Sequence, residues 1–110
     1  TEGRQQRDFI YIEDVVSVYL TLLDKIEQLN DINEFDVGSG TLSSVRYFVI
    51  ALQKEFKKHY PDNKTVLGFG DIPMRNGEEM VVNVDNSLLI SHGWNCNYTI
   101  AKGIKKLFHG

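Results

Sequence analysis

The 110 residues leave room for one domain or part of one, which excludes a multidomain assembly. Hydrophobic residues at 42% and charged residues at 25% are the mix of a soluble chain with a buried core, which excludes intrinsic disorder. Twelve Lys and Arg against 15 Asp and Glu, a net charge of -3, argue against a general nucleic-acid binder.

A single cysteine, Cys96, cannot form an internal disulfide. No apolar run approaches the roughly 18 residues that cross a bilayer, and the polar start Thr1 to Arg7 is no signal peptide. The expectation is a cytoplasmic protein without membrane contact.

In chain order, Phe9-Ile10-Tyr11-Ile12 is a β-branched and aromatic run short enough for a buried strand. Glu13 and Asp14 then put two acids where a helix would begin. Val15, Val18, Tyr19, Leu22, Leu23, Ile26 and Leu29 follow at the spacing of one apolar helix face. Residues 35–37 read as a second strand, Gly38-Ser39-Gly40 as a turn, and Ser43 as the N-cap of a helix with core face Val45, Phe48, Val49, Leu52 and Phe56.

Lys57, Lys58 and His59 suit that helix's negative end, and Pro61-Asp62-Asn63 breaks it. Residues 65–69 and 80–84 read as strands. Asp85 or Asn86 starts a short helix stopped at Gly93, and Asn97 or Thr99 opens the last, with Ile100, Ile104, Leu107 and Phe108 inward. Alternating strands and helices predict an α/β class with too few strands for a complete doubly wound sheet.

The strand, Gly38-x-Gly40-x-x-Ser43, helix pattern could cradle phosphate on free amides. It lacks a third glycine and an acidic ribose partner about 20 positions on, so it reads as a strand-to-helix turn. Tyr-x-x-x-Lys occurs twice. Tyr60 to Lys64 contains a proline, and Tyr98 and Lys102 share a face with Lys105 opposite the apolar stripe, as on an ordinary amphipathic helix, so neither pair is a catalytic candidate.

His59, His92 and His109 are scattered near helix ends and away from Cys96, with no metal-ligand spacing to a carboxylate, so no metal is expected. No Gly-x-Ser-x-Gly elbow supports hydrolase chemistry. Arg7, before the first expected strand, and Arg75, in a loop before another, have the chemistry for bidentate phosphate capture. Pairing of a surface arginine with Asp8 or Glu78 is the competing reading.

Gly3-Arg4-Gln5-Gln6-Arg7-Asp8-Phe9-Ile10-Tyr11-Ile12-Glu13-Asp14-Val15 resembles the G-x-Q-x-R-D-F-hydrophobic-D-V signature of extended short-chain dehydrogenases/reductases that modify nucleotide sugars. Phe35-Asp36-Val37-Gly38-Ser39-Gly40 resembles their F-N-hydrophobic-G-S-G segment, Arg75-Asn76-Gly77-Glu78 their R-x-G-E loop, and Gly93-Trp94 their L-G-W segment. Asp36, His92 and Cys96 depart from the usual Asn, Leu and Pro. Leu67-Gly68-Phe69-Gly70-Asp71-Ile72-Pro73-Met74-Arg75 is similar to a stretch of deoxysugar 4-ketoreductases within that family.

The resemblance implies that residues 1–110 are a single partial domain, the substrate-binding C-terminal part of a Rossmann-type enzyme with an incomplete sheet. By the same resemblance, Arg7 and Arg75 would hold the diphosphate of a nucleotide sugar and Glu78 would sit near its ribose. The NAD or NADP site and the catalytic Tyr-x-x-x-Lys would lie in an N-terminal Rossmann half that is absent here. The chain alone is then expected to be catalytically inactive and, with apolar faces left uncovered, to dimerise. The competing hypothesis is a freestanding, non-catalytic nucleotide-sugar binding or protein-interaction module.

Overall fold

The structure, a computed structural model, describes residues 1–30, 33–73 and 77–109. Two three-residue strands, β1 (Gln6–Asp8) and β2 (Leu42–Ser44), pair antiparallel, with Gln6 opposite Ser44 and Asp8 opposite Leu42. Among the described residues there are four helices: α1 (Ile12–Asp24), α2 (Val45–His59), α3 (Ser87–Ser91) and α4 (Ile100–His109). A 3-10 turn over Ile26–Gln28 follows α1.

The first strand is the polar Gln-Arg-Asp, and not the apolar run at 9–12, whose last residue already opens α1. Pairing here is decided by backbone partners instead of side-chain pattern. Gln6 is bridged on its other side to Val81 in parallel, through Gln6 N–H to Met80 carbonyl at 2.6 Å and Val82 N–H to Gln6 carbonyl at 3.1 Å. That bridge is the extent of the strand expected at 80–84. The segments 35–37 and 65–69 form no ladder among the described residues.

The other boundaries follow local chemistry. Ser44, one residue past the expected cap, accepts from Tyr47 N–H at 3.0 Å and starts α2. That helix ends at His59, before the turn at Pro61 and Asp62. Ser87 N–H donates to Asp85 at 3.0 Å where α3 begins, and Gly93, at φ +94°, turns the chain after it. Lys102 N–H donates to the Thr99 hydroxyl at 3.2 Å at the head of α4.

Val18, Leu89 and Trp94 form the central core, with Ile10, Leu22, Phe35 and Cys96 packed around it. Ile104 is buried separately, where α4 lies on α2. The single apolar face expected from Val15 to Leu29 divides: Val18 turns inward, while Tyr19 and Leu23 turn outward with Ile12, Val16 and Leu20, each at least half exposed. Geometry explains the division, since apolar residues surround α1 and only one side has described chain against it. The Cα radius of gyration, 17.1 Å, exceeds the roughly 13 Å of a compact 100-residue domain, so the body is open and flat.

Candidate functional site

Arg7 and Glu78 are brought together at one edge of the sheet. The Arg7 guanidinium donates to the Gln6 carbonyl at 2.8 Å and the Glu79 carbonyl at 2.7 Å, and lies 3.6 Å from the Glu78 carboxylate. Gln5, buried behind them, donates its side-chain amide to the same Glu78 oxygen at 3.2 Å. The pairing of Arg7 with Glu78 is therefore real, yet the arginine keeps 26% of its side-chain surface open. Arg75, the third expected contact, lies outside the described residues. A cleft of about 440 Å³ runs along the neighbouring chain, lined by Thr1, Glu2, Arg4, Gly70, Ile72, Pro73 and Met80.

The glycine turn is filled by the protein's own anion. Asp8 accepts from Ser39 N–H at 2.8 Å, Ser39 hydroxyl at 2.7 Å and Gly40 N–H at 2.9 Å. A Cβ on Gly38 would come within 2.7 Å of both Asp8 and Val84, so only glycine fits. The first amides of α2 are taken as well: Val45 N–H donates to the Gln5 carbonyl and Arg46 N–H to the Gly3 carbonyl. A phosphate finds no vacant donors there.

Asp14 makes a second clamp. Fully buried in the first turn of α1, it accepts from Asn97 N–H at 2.9 Å, Tyr98 N–H at 3.0 Å and Cys96 Sγ at 3.1 Å. The Trp94 indole N–H donates to the Asp14 carbonyl and to Ser17 Oγ at 2.8 Å. Burial, then the hydrogen bond to Asp14, push the Cys96 thiol up to about 11, away from nucleophilic use.

The Tyr98 hydroxyl donates to Glu13, and that bond, with burial and the Glu13 charge, raises its pKa. A tyrosine activated by lysine would move the other way. Tyr98 also borders a hydroxyl-lined cleft of about 440 Å³ shared with Ser39, Thr41, Ser43, Tyr47 and Thr99.

At the far end, α2 and α4 bring two of the scattered histidines onto one carboxylate. Glu55 is buried, with His59 Nε2 at 3.5 Å and Lys58 Nζ at 3.3 Å. Burial pushes the Glu55 carboxyl up, but hydrogen bonds and charge from Lys58 and His59 outweigh it and hold it below its ordinary range. His109 arrives from the last turn of α4, its ring 5.0 Å from that of His59.

Gln5, Asp14 and Glu55 were not singled out from sequence as interacting residues, and Asp8, read as one possible partner of a surface arginine, instead holds the glycine turn through Ser39 and Gly40. The signals available were the Gln5 and Asp8 positions inside the quoted motif and the i, i+4 spacing of Glu55 and His59.

Comparison with known proteins gives the following. Residues 1–38 match the NAD dependent epimerase/dehydratase family. The CDP-abequose synthase of Salmonella typhimurium is 36% identical over 107 residues, 97% of this chain and 35% of the synthase. The dTDP-4-dehydro-6-deoxyglucose reductase of Escherichia coli is 28% identical over 102 residues, 93% of this chain and 29% of the reductase. Among solved structures, RMD from Pseudomonas aeruginosa complexed with NADPH superposes on 97% of this chain and 32% of its own, with a TM-score of 0.69 and 21% identity. The chain spans about a third of the length of the curated relatives it matches. Its fold is the α/β arrangement of a Rossmann-type segment, with the sheet reduced to two strands among the described residues. No helix among those residues is long and apolar enough to cross a membrane.

Proposed function

We propose that this chain, a relative of the NAD dependent epimerase/dehydratase family as its motifs anticipated, forms the substrate-binding C-terminal part of a nucleotide-sugar 4-ketoreductase, epimerase or dehydratase. Its role would lie in the biosynthesis of surface polysaccharide. The observation that carries the reading is the convergence of Arg7, Gln5 and Glu78 at one sheet edge. A diphosphate would exchange with the Glu78 carboxylate on Arg7, which offers planar donors matched to phosphate oxygens. Glu78, held by Gln5, would then be placed to accept from ribose hydroxyls. Arg75 would supply the second cation.

The nicotinamide cofactor, NAD or NADP, supplies hydride transfer in such enzymes. The described residues of this chain do not fit a dinucleotide, since Asp8 already occupies the amides of the glycine turn. We therefore assign cofactor binding and catalysis to residues outside 1–110, and no catalytic residue to this chain. The outward apolar stripe of α1 supports packing against a further layer or a second copy. Sedimentation of the isolated chain should show dimers or larger species; a monomer at high concentration would count against this part of the reading.

The test is equilibrium binding of CDP- and dTDP-linked hexoses to the intact polypeptide that carries this segment. Arg75→Ala and Arg7→Ala should each weaken binding by about tenfold or more, the loss expected for one charge-assisted contact of about 1.5–3 kcal/mol. Unchanged affinity in both variants would overturn the assignment.

A further inference from the structure

The end of the α2–α4 pair carries a three-residue cluster that the nucleotide-sugar reading does not use. Glu55 and His59 stand one turn apart on α2, and His109 joins them from the end of α4. One carboxylate oxygen and two imidazole nitrogens lie within 4.8 Å of one another. We propose that Glu55, His59 and His109 form a binding site for a borderline divalent metal of the zinc class, which braces the end of α2 to the end of α4.

The donor set selects the metal. Two imidazoles and one carboxylate suit Zn²⁺ and its first-row neighbours, whereas Mg²⁺ and Ca²⁺ demand oxygen shells. Bond lengths of about 2.0–2.2 Å to nitrogen and oxygen require the three ligand atoms to close by about an ångström. Glu55 is fixed by burial, while both histidines are exposed and can supply that movement. The Phe108 ring stacks on His59 at 5.0 Å and 9°, and so limits the ring's orientation from behind. Lys58 Nζ, 3.3 Å from Glu55 Oε2, competes with a cation for the carboxylate. With 60% of its side chain exposed, it can swing out to solvent.

The experiment is titration of the full chain with Zn²⁺ by calorimetry, together with Co²⁺ absorption and thermal melting. One saturable site is expected, with a higher melting temperature that a chelator reverses and that Mg²⁺ does not reproduce. Loss of a ligand must cost at least what loss of a group behind a ligand costs, so His59→Ala and His109→Ala should each weaken binding about tenfold or more. Lys58→Met should tighten it, because the competing ammonium is gone, and Cys96→Ser should leave it unchanged. The Co²⁺ ligand-field band should disappear in His109→Ala, a readout independent of stability. Equal Zn²⁺ affinity in wild type and His109→Ala, or no saturable site at submillimolar metal, would overturn the proposal.

Discussion

Asp14 and Glu55 are both buried carboxylates on helices, and they are held in opposite ways. Asp14 is surrounded by groups that cannot leave: two backbone amides, at 2.9 and 3.0 Å, and the Cys96 thiol. Glu55 is held by the side chains of Lys58 and His59, both of which reach solvent. A carboxylate satisfied by backbone is a structural rivet, because releasing it leaves buried donors unpaired. A carboxylate satisfied by mobile side chains is exchangeable. Arg7 with Glu78 resembles the second kind, and the proposed function rests on that exchangeability.

The rivet should break expensively. Trp94→Ala empties the centre of the core and removes the indole bonds to Asp14 and Ser17, at a cost of about 3–5 kcal/mol, and denaturant unfolding should show little folded protein remaining. Asp14→Asn keeps the shape but turns one acceptor into a donor facing Tyr98 N–H and the Cys96 thiol. A loss of about 2–3 kcal/mol is expected, read from the shift in denaturation midpoint. Glu55→Gln should shift that midpoint far less, since Lys58 and His59 can turn to water. Comparable losses at Asp14 and Glu55 would erase the distinction.

The sequence disclosed the two carboxylates unequally. Asp14 was legible as an acid in a helix's first turn, which is true, and its position fits the family signature. Its use as a clamp was not, because the donors come from residues 96–98, more than 80 positions away. Glu55 sits outside the apolar face read for α2, yet it is buried in a helix that packs on α4. Helices were legible because periodicity, the Ser44 cap region and the Pro61 break are local signals. Strands were not: β1 is polar and takes its place from Asp8 and the Gln6 pairings, while the apolar run beside it supplies Ile10 to the core and Phe9 to a ring stack on Phe48 at 4.2 Å. Of the candidate site, Arg7 and Glu78 were named through the motif and are found side by side, while Gln5, which joins them, was not named.

The smallest effect isolates what the rivet does to its own thiol. With Cys96 at about 11 in the folded chain against an ordinary 9.0, the folded state holds this proton more tightly than the unfolded state. The stability this contributes is fully present below pH 9 and is lost as pH rises through 11. For a thiol only partly buried, solvent screening reduces the effect to about 1 kcal/mol or less. Denaturation midpoints at pH 8 and 10.5 should therefore differ more in the wild type than in Cys96→Ser, where nothing titrates at this position. Tyr98, raised by its bond to Glu13, adds a decline of the same sign in both proteins, so the difference between them reports Cys96 alone. In Asp14→Asn the thiol loses its charged acceptor, and its alkylation at pH 8.5 should accelerate. An alkylation rate unchanged by that substitution would mean that burial by Trp94 and its neighbours, and not the carboxylate, keeps Cys96 protonated.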